Sequence, residues 1–295
     1  MTLTPSSKAR ATDFIYRHAR LLDRLRYEYH FEGRSANDVI AALRAYQNED
    51  GGFGHGLEPD IRAPFSQPVT TEFAFGIMDE IQRLDEDMLR AAGRYLGSIA
   101  AEDGGFPRAL DSLNTYPHAP WWEVTASGSG SLNPTGTILG LLYKWEDSHS
   151  LMKEPWFESA ASFVWSRLPH TDRNDYHDLI NAITFLVHAP ERPETAAMLD
   201  MIDGWLEQPG VIETDPNKEG YAHKVLDWAP HPDSYASKYI SAELLEQHLA
   251  WLTATQLEDG GWPISWEAPS IAAELEWRGS LTVSRLLTLR SYGWL

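Results

Sequence analysis

Asp50-Gly51-Gly52-Phe53 decides how this chain is read. The pattern returns as Asp103-Gly104-Gly105-Phe106 and again as Asp259-Gly260-Gly261-Trp262. From Asp50 to Asp103 is 53 residues, and from Asp103 to Asp259 is 156, three times 52. A constant period of this size marks a repeat architecture, in which each unit buries its apolar face against a neighbour. Paired glycines stop a helix and permit positive φ.

Working outward, each block closes a stretch with helical apolar spacing: 36–47, 84–101 and 244–256. After each block comes a polar loop and then a more apolar helical stretch, at 69–81, 134–145 and 277–292. Thr70, Thr71, Asn133, Thr135, Arg278 and Ser280 stand near the starts of these stretches, several of them natural N-cap types. Two further hairpins keep the period without the glycines, one from 156–168 and 175–188, the next opened by 195–206. A first helix is expected over 13–29. Segment 208–237 breaks the pattern with Pro209, Gly210, Pro216, Gly220, Pro230 and Pro232, which predicts irregular structure or short strands. A long irregular stretch in a compact domain is commonly functional. The expected fold is all-α: one domain over 1–295, five to six hairpins curled into an α/α toroid.

The formal net charge of −19 disfavours nucleic acid and anionic lipid as partners. The absence of cysteine excludes disulfides, thiolate metal sites and a cysteine nucleophile. No apolar run approaches the roughly 18–20 residues that cross a bilayer. The first 11 residues show no secretory apolar core, so a cytoplasmic location is expected. There is no phosphate-binding glycine loop of known form, no nucleophile-elbow serine and no His-Glu-x-x-His. No metal or cofactor is therefore expected, and the expected partner is a small-molecule substrate.

The blocks that begin at Gln47 and Gln256, with the third at Asp103, resemble the glutamine–tryptophan repeats of squalene–hopene cyclases and other class II terpenoid cyclases. Similar repeats occur in protein prenyltransferase β-subunits, and both families fold as α/α toroids. The resemblance implies that Gln47, Phe53, Gln256 and Trp262 tie neighbouring helices, the glutamine amide meeting unsatisfied N–H groups at the next helix's start. It implies a terpenoid-cyclase-like enzyme that protonates an isoprenoid. Three departures stand against this. The cyclases' Asp-x-Asp-Asp motif is missing, Asp85-Glu86-Asp87 being the nearest string. The prenyltransferase zinc site needs a cysteine, as does that of the lanthionine cyclases. The length suits one helical domain, where squalene cyclases have two.

In a toroid the open end is the natural pocket, and the loops entering the inner helices converge there. Their polar residues supply the candidates. Glu58 and Asp60 lie two apart in a proline-stiffened loop with His55 and Arg62. A carboxyl held among apolar groups, next to another carboxyl, has a raised pKa and can donate a proton. Asp175 and Asp233 are the other catalytic candidates, with His177, Trp228, His231, Trp266 and Arg278 as substrate contacts. Each has a bland alternative. Glu58 and Asp60 can pair with Arg62, and Asp175 can simply favour a helix start. Two further functions stay open. One is a carbohydrate-active hydrolase or lyase using paired carboxylates at the mouth. The other is a toroid that only binds.

Overall fold

The computed structural model describes residues 2–125 and 128–295. The chain is all-α: twelve α-helices among the described residues, and isolated bridges in place of strands. It divides into two compact units, one built from 1–39 and 204–295, the other from 40–203.

In the second unit, helices α3 (Ala36–Leu43), α4 (Pro68–Glu80), α5 (Glu86–Ile99), α6 (Leu132–Lys144), α7 (Pro155–Arg167), α8 (Tyr176–His188) and α9 (Pro193–Leu206) follow one another, α3 and α9 running past the unit's ends. Apolar residues sit at helical spacing in α4, α6 and α8, so Phe75, Met78, Ile138, Leu142, Ala182 and Phe185 are all buried. Burial of such side chains contributes about 1.5–3 kcal/mol each. Helices α6 and α8 approach closely because a Cβ added at Gly136 would strike the Asn181 carbonyl.

The first unit holds α1 (Pro5–His18), α2 (Leu21–Glu32), α10 (Val225–Trp228), α11 (Ala242–Ala254) and α12 (Ile271–Ser291). The single helix expected over 13–29 is two. It starts earlier, where Thr4 caps Ser7 N–H and Pro5 takes the first turn. It breaks at Ala19 and Arg20, both extended. The cause is tertiary: Gly279 of α12 presses on Ala19, and the buried Asp23 binds Arg20 and Arg26, both at 2.8 Å. Segment 208–237 is irregular, as expected. It carries isolated bridges (Pro209 with Ile212, Glu213 with Lys224), the one-turn α10 and the start of a 3₁₀ turn at Tyr235–Tyr239.

All three Asp-Gly-Gly blocks adopt one geometry. The first glycine has φ of 97°, 90° or 95° in Gly51, Gly104 and Gly260. Its missing Cβ lets it lie on a carbonyl of a neighbouring helix: Ala91 of α5, Ser159 of α7 and Arg10 of α1. The aspartate side chain accepts the second glycine's N–H at 2.9, 3.2 and 3.1 Å. The aromatic's N–H then donates to a threonine hydroxyl of the following helix: Phe53 to Thr71, Phe106 to Thr135, Trp262 to Thr282. Thr71 and Thr135 are therefore not caps. They sit a turn inside, and Gln67 and Ser131 hold the cap positions.

The glutamines do tie helices, but through carbonyls. Gln47 Nε2 donates to Gly51 O and to Met88 O of α5, both at 2.9 Å. Gln256 Nε2 does the same to Gly260 O and Ser7 O of α1, again at 2.9 Å. One N–H of each helix start is met by a cap, Met88 by Asp85 and Ser7 by Thr4, and the glutamine's NH2, a donor, takes a carbonyl lone pair instead.

Candidate functional site

The most chemically loaded part of the second unit is the seam of α4, α6 and α8. Helix α6 starts poorly, because Asn133 is non-helical and Pro134 has no N–H. Helix α8 completes it. The Thr137 N–H donates to Asn181 Oδ1 at 2.7 Å, and the Asn133 N–H donates to the Asp178 carboxylate. Asn181 Nδ2 in turn donates to the His177 carbonyl at 3.0 Å. Asn181 is buried and its amide is committed at both ends.

Glu72 of α4 stands beside Thr137 and Asn181. Burial pushes its carboxyl from the usual 4.5 up to about 7, and those two neutral neighbours pull it back only in part. The residue is nonetheless half-buried rather than sealed. Asp178 is also raised, first by burial and then by the charge of Asp175, against Asn133 N–H, Arg108 and Arg167. His177 is lowered by burial, with Arg108 adding to the effect and Asp175 opposing it. Arg108 also stacks its guanidinium 4.7 Å from the Trp122 ring centroid. The seam thus gathers two carboxyls that hold protons more tightly than usual and an imidazole biased to neutrality, with the guanidiniums of Arg108 and Arg167 acting on Asp178.

Of the residues singled out in the sequence, His177 belongs to this cluster. Asp175 borders it as the N-cap of α8, accepting the Asp178 N–H at 3.1 Å. Glu58 and Asp60 lie elsewhere in the unit, buried at 4% and 2% exposure, with little surface for a substrate to touch. Their loop is held from both sides. His55 takes a left-handed φ of 57° and bonds Asn48 Oδ1 at 2.9 Å. Arg62 lays its guanidinium over Gly56 and reaches the Pro59 carbonyl. The loop's backbone bonds Asp60 O to Ala119 N–H and Arg62 N–H to Pro117 O.

Asp233, Trp228, His231, Trp266 and Arg278 fall in the first unit. Arg278 is a clamp of the third block: it grips both Asp259 oxygens at 2.7 and 2.8 Å, reaches Trp262 O and covers the Phe14 ring. Burial works to raise the Asp259 pKa, but Arg278 and the Gly261 N–H outweigh it and the net shift is downward. Trp228 is buried. His231 and Asp233 are exposed in a turn, where Ser234 Oγ accepts the His231 N–H and Ser237 Oγ donates to His231 O. Trp266 packs edge-on against Trp277 and Tyr221. Among the described residues no group of three or more His, Asp or Glu side chains is arranged to hold a metal, and no helix is long and apolar enough to cross a membrane.

Sequence reasoning missed Glu72, Arg108 and Asn181. Two of them carried a signal. Glu72 interrupts the uncharged run 63–78, and Asn181 interrupts Leu179 to Val187. A polar residue inside an apolar helix is more informative than an acid in a polar loop. No family model matches the chain, and no curated protein matches it.

Proposed function

We propose that the chain is an acid–base enzyme of the glycan-processing kind, with Glu72 as the proton donor and Asp178 as the second carboxyl. The observation that carries this reading is the placement of Glu72: an acid inside α4, in a run that is otherwise uncharged from 63 to 78, half-buried and flanked by neutral Thr137 and Asn181. A carboxyl that stays protonated close to neutral pH is suited to protonate a glycosidic oxygen. Asn181 stands beside Glu72 and lies one helical turn beyond Asp178, about 5–6 Å between Cβ atoms. An inverting reaction needs about 6.5–9.5 Å between its two carboxyls, room for a water, and that is the separation this reading requires of Glu72 and Asp178. Glu72 gives its proton to the leaving oxygen, and the Asp178 carboxylate takes one from the attacking water.

The same acid would serve a terpenoid-cyclase-like reaction, the reading that the repeat resemblance implies. Its surroundings favour the glycan. A carbocation needs walls that cannot trap it, and here His177 and Asp178 are available as bases and nucleophiles. An α/α toroid remains our reading of the scaffold. It is supported inside the first unit by the last block, Gly260 and Gln256, seating on the first helix at Arg10 and Ser7.

The test is glycoside cleavage across a panel of oligosaccharides and aryl glycosides, with isoprenoid diphosphates and squalene-type substrates alongside. The expected result is cleavage by the native chain, lost in both Glu72→Gln and Asp178→Asn. Turnover of an isoprenoid only, or full cleavage by both variants, contradicts the proposal.

A further inference from the structure

The second block lacks the glutamine of the other two, and the difference leaves a hole. In the first and third blocks a glutamine amide fills the gap between the glycine loop and the adjacent helix, donating to one carbonyl on each side. The glutamine sits three residues before the aspartate, so the matching residue of the second block is Ala100. The carbonyls correspond too. Gly51 and Gly260 match Gly104. Met88 and Ser7 each lie three residues before the carbonyl on which the first glycine rests, which makes Trp156 their counterpart on α7. A methyl group reaches neither carbonyl. Where the amide would sit, a groove of about 600 Å³ opens, lined by Ala100, Glu102, Asp103, Trp156, Glu158 and Ser159 among others.

We propose that this groove is a binding site for a small ligand headed by a primary ammonium group. By register, and by the matching rest of Gly104 on Ser159, Gly104 O and Trp156 O are the counterparts of carbonyls that, in the two sister blocks, converge on one nitrogen at 2.9 Å. They set the geometry for an N–H donor. The charge of the lining selects among donors: Glu102 and Glu158 are exposed on the rim, and no lysine or arginine lines the groove. An ammonium supplies three N–H donors and a positive charge, where a carboxamide supplies two and none. The site is separate from the α4–α6–α8 seam and does not depend on the reading of that seam.

The experiment is an amide-resolved NMR titration of the full chain with n-butylammonium, propionamide and tetramethylammonium, the last carrying charge without N–H. The expected result is saturable shifts at Gly104, Gly105 and the Trp156 indole with n-butylammonium, with a Kd on the order of millimolar for so few contacts. Propionamide is expected to bind at least tenfold more weakly and tetramethylammonium not at all. Ala100→Gln should abolish the response and raise Tm by about 2–4 °C. Glu158→Gln, a surface change that leaves the fold alone, should weaken n-butylammonium several-fold and leave propionamide unchanged. The proposal is overturned by no saturable shift with n-butylammonium, by equal shifts with tetramethylammonium, or by a response that survives Ala100→Gln.

Discussion

Asp259 and Glu72 are both carboxylates at helix seams, and the protein treats them in opposite ways. Asp259 closes the third block in the first unit, and Arg278 meets it with two short, charge-assisted bonds. Its pKa falls although partial desolvation opposes the shift, and its work is to hold a loop against a helix. Glu72 lies in the second unit beside groups that carry no charge, one of which, the Asn181 amide, is committed to backbone. Its pKa rises. A carboxylate given a guanidinium becomes part of the frame, whereas one left among neutral groups keeps a proton that it can give away.

The sharpest way to break the comparison is to remove each acid's function. Glu72→Gln should reduce turnover of the cognate substrate by about 10²–10⁴-fold while the far-ultraviolet circular dichroism stays native. The effects on the frame come next. Gly260→Ala places a side chain at φ 95° against the Arg10 carbonyl, and is expected to destabilise by about 2–4 kcal/mol in chemical denaturation. Arg278→Met should cost about 2–3 kcal/mol, from the lost pair with Asp259 and the contact with Phe14.

The pH dependence of stability separates the two carboxylates further. Below pH 4.5 Glu72 is protonated in both folded and unfolded chains. Between 4.5 and about 7 the unfolded chain ionises first, so stability falls as pH rises, and the loss levels off above 7. Glu72→Gln removes this loss. Its stability relative to the native chain should be near unchanged at pH 4 and greater by up to about 3 kcal/mol at pH 8, read by urea unfolding at each pH. The smallest expected effect is on the glutamine ties. Gln47→Ala removes two hydrogen bonds and Gln256→Ala three, the third an exposed one from Arg10, and each should cost about 1–2 kcal/mol.

The frame was largely readable from residues. Paired glycines, the aspartate that bonds across them and the aromatic that follows form a local unit, so Asp50, Asp103 and Asp259 behave alike wherever they occur. Helix periodicity placed α4 to α8 within a few residues. The break at Ala19 was not readable, because nothing local forces it; Gly279, 260 residues away in sequence, presses there. The candidate site was only half legible. Attention to acids in loops found Asp175, which serves as a cap, and found Glu58 and Asp60, which are buried. Glu72 was overlooked because its importance lies in what surrounds it: three helices must assemble before its carboxyl loses water. His177, singled out as part of a loop entering a helix at the expected toroid mouth, lies in the first turn of α8 beside the seam.

The most direct test of the account is the titration of the Glu72 carboxyl itself, followed by carbon NMR with selectively labelled glutamate and assigned by Glu72→Gln. One glutamate with a midpoint near 7 is expected, and it should disappear in the variant. A midpoint near 4.5 for Glu72 would show that its carboxyl is solvated or paired after all, and would contradict its role as the proton donor.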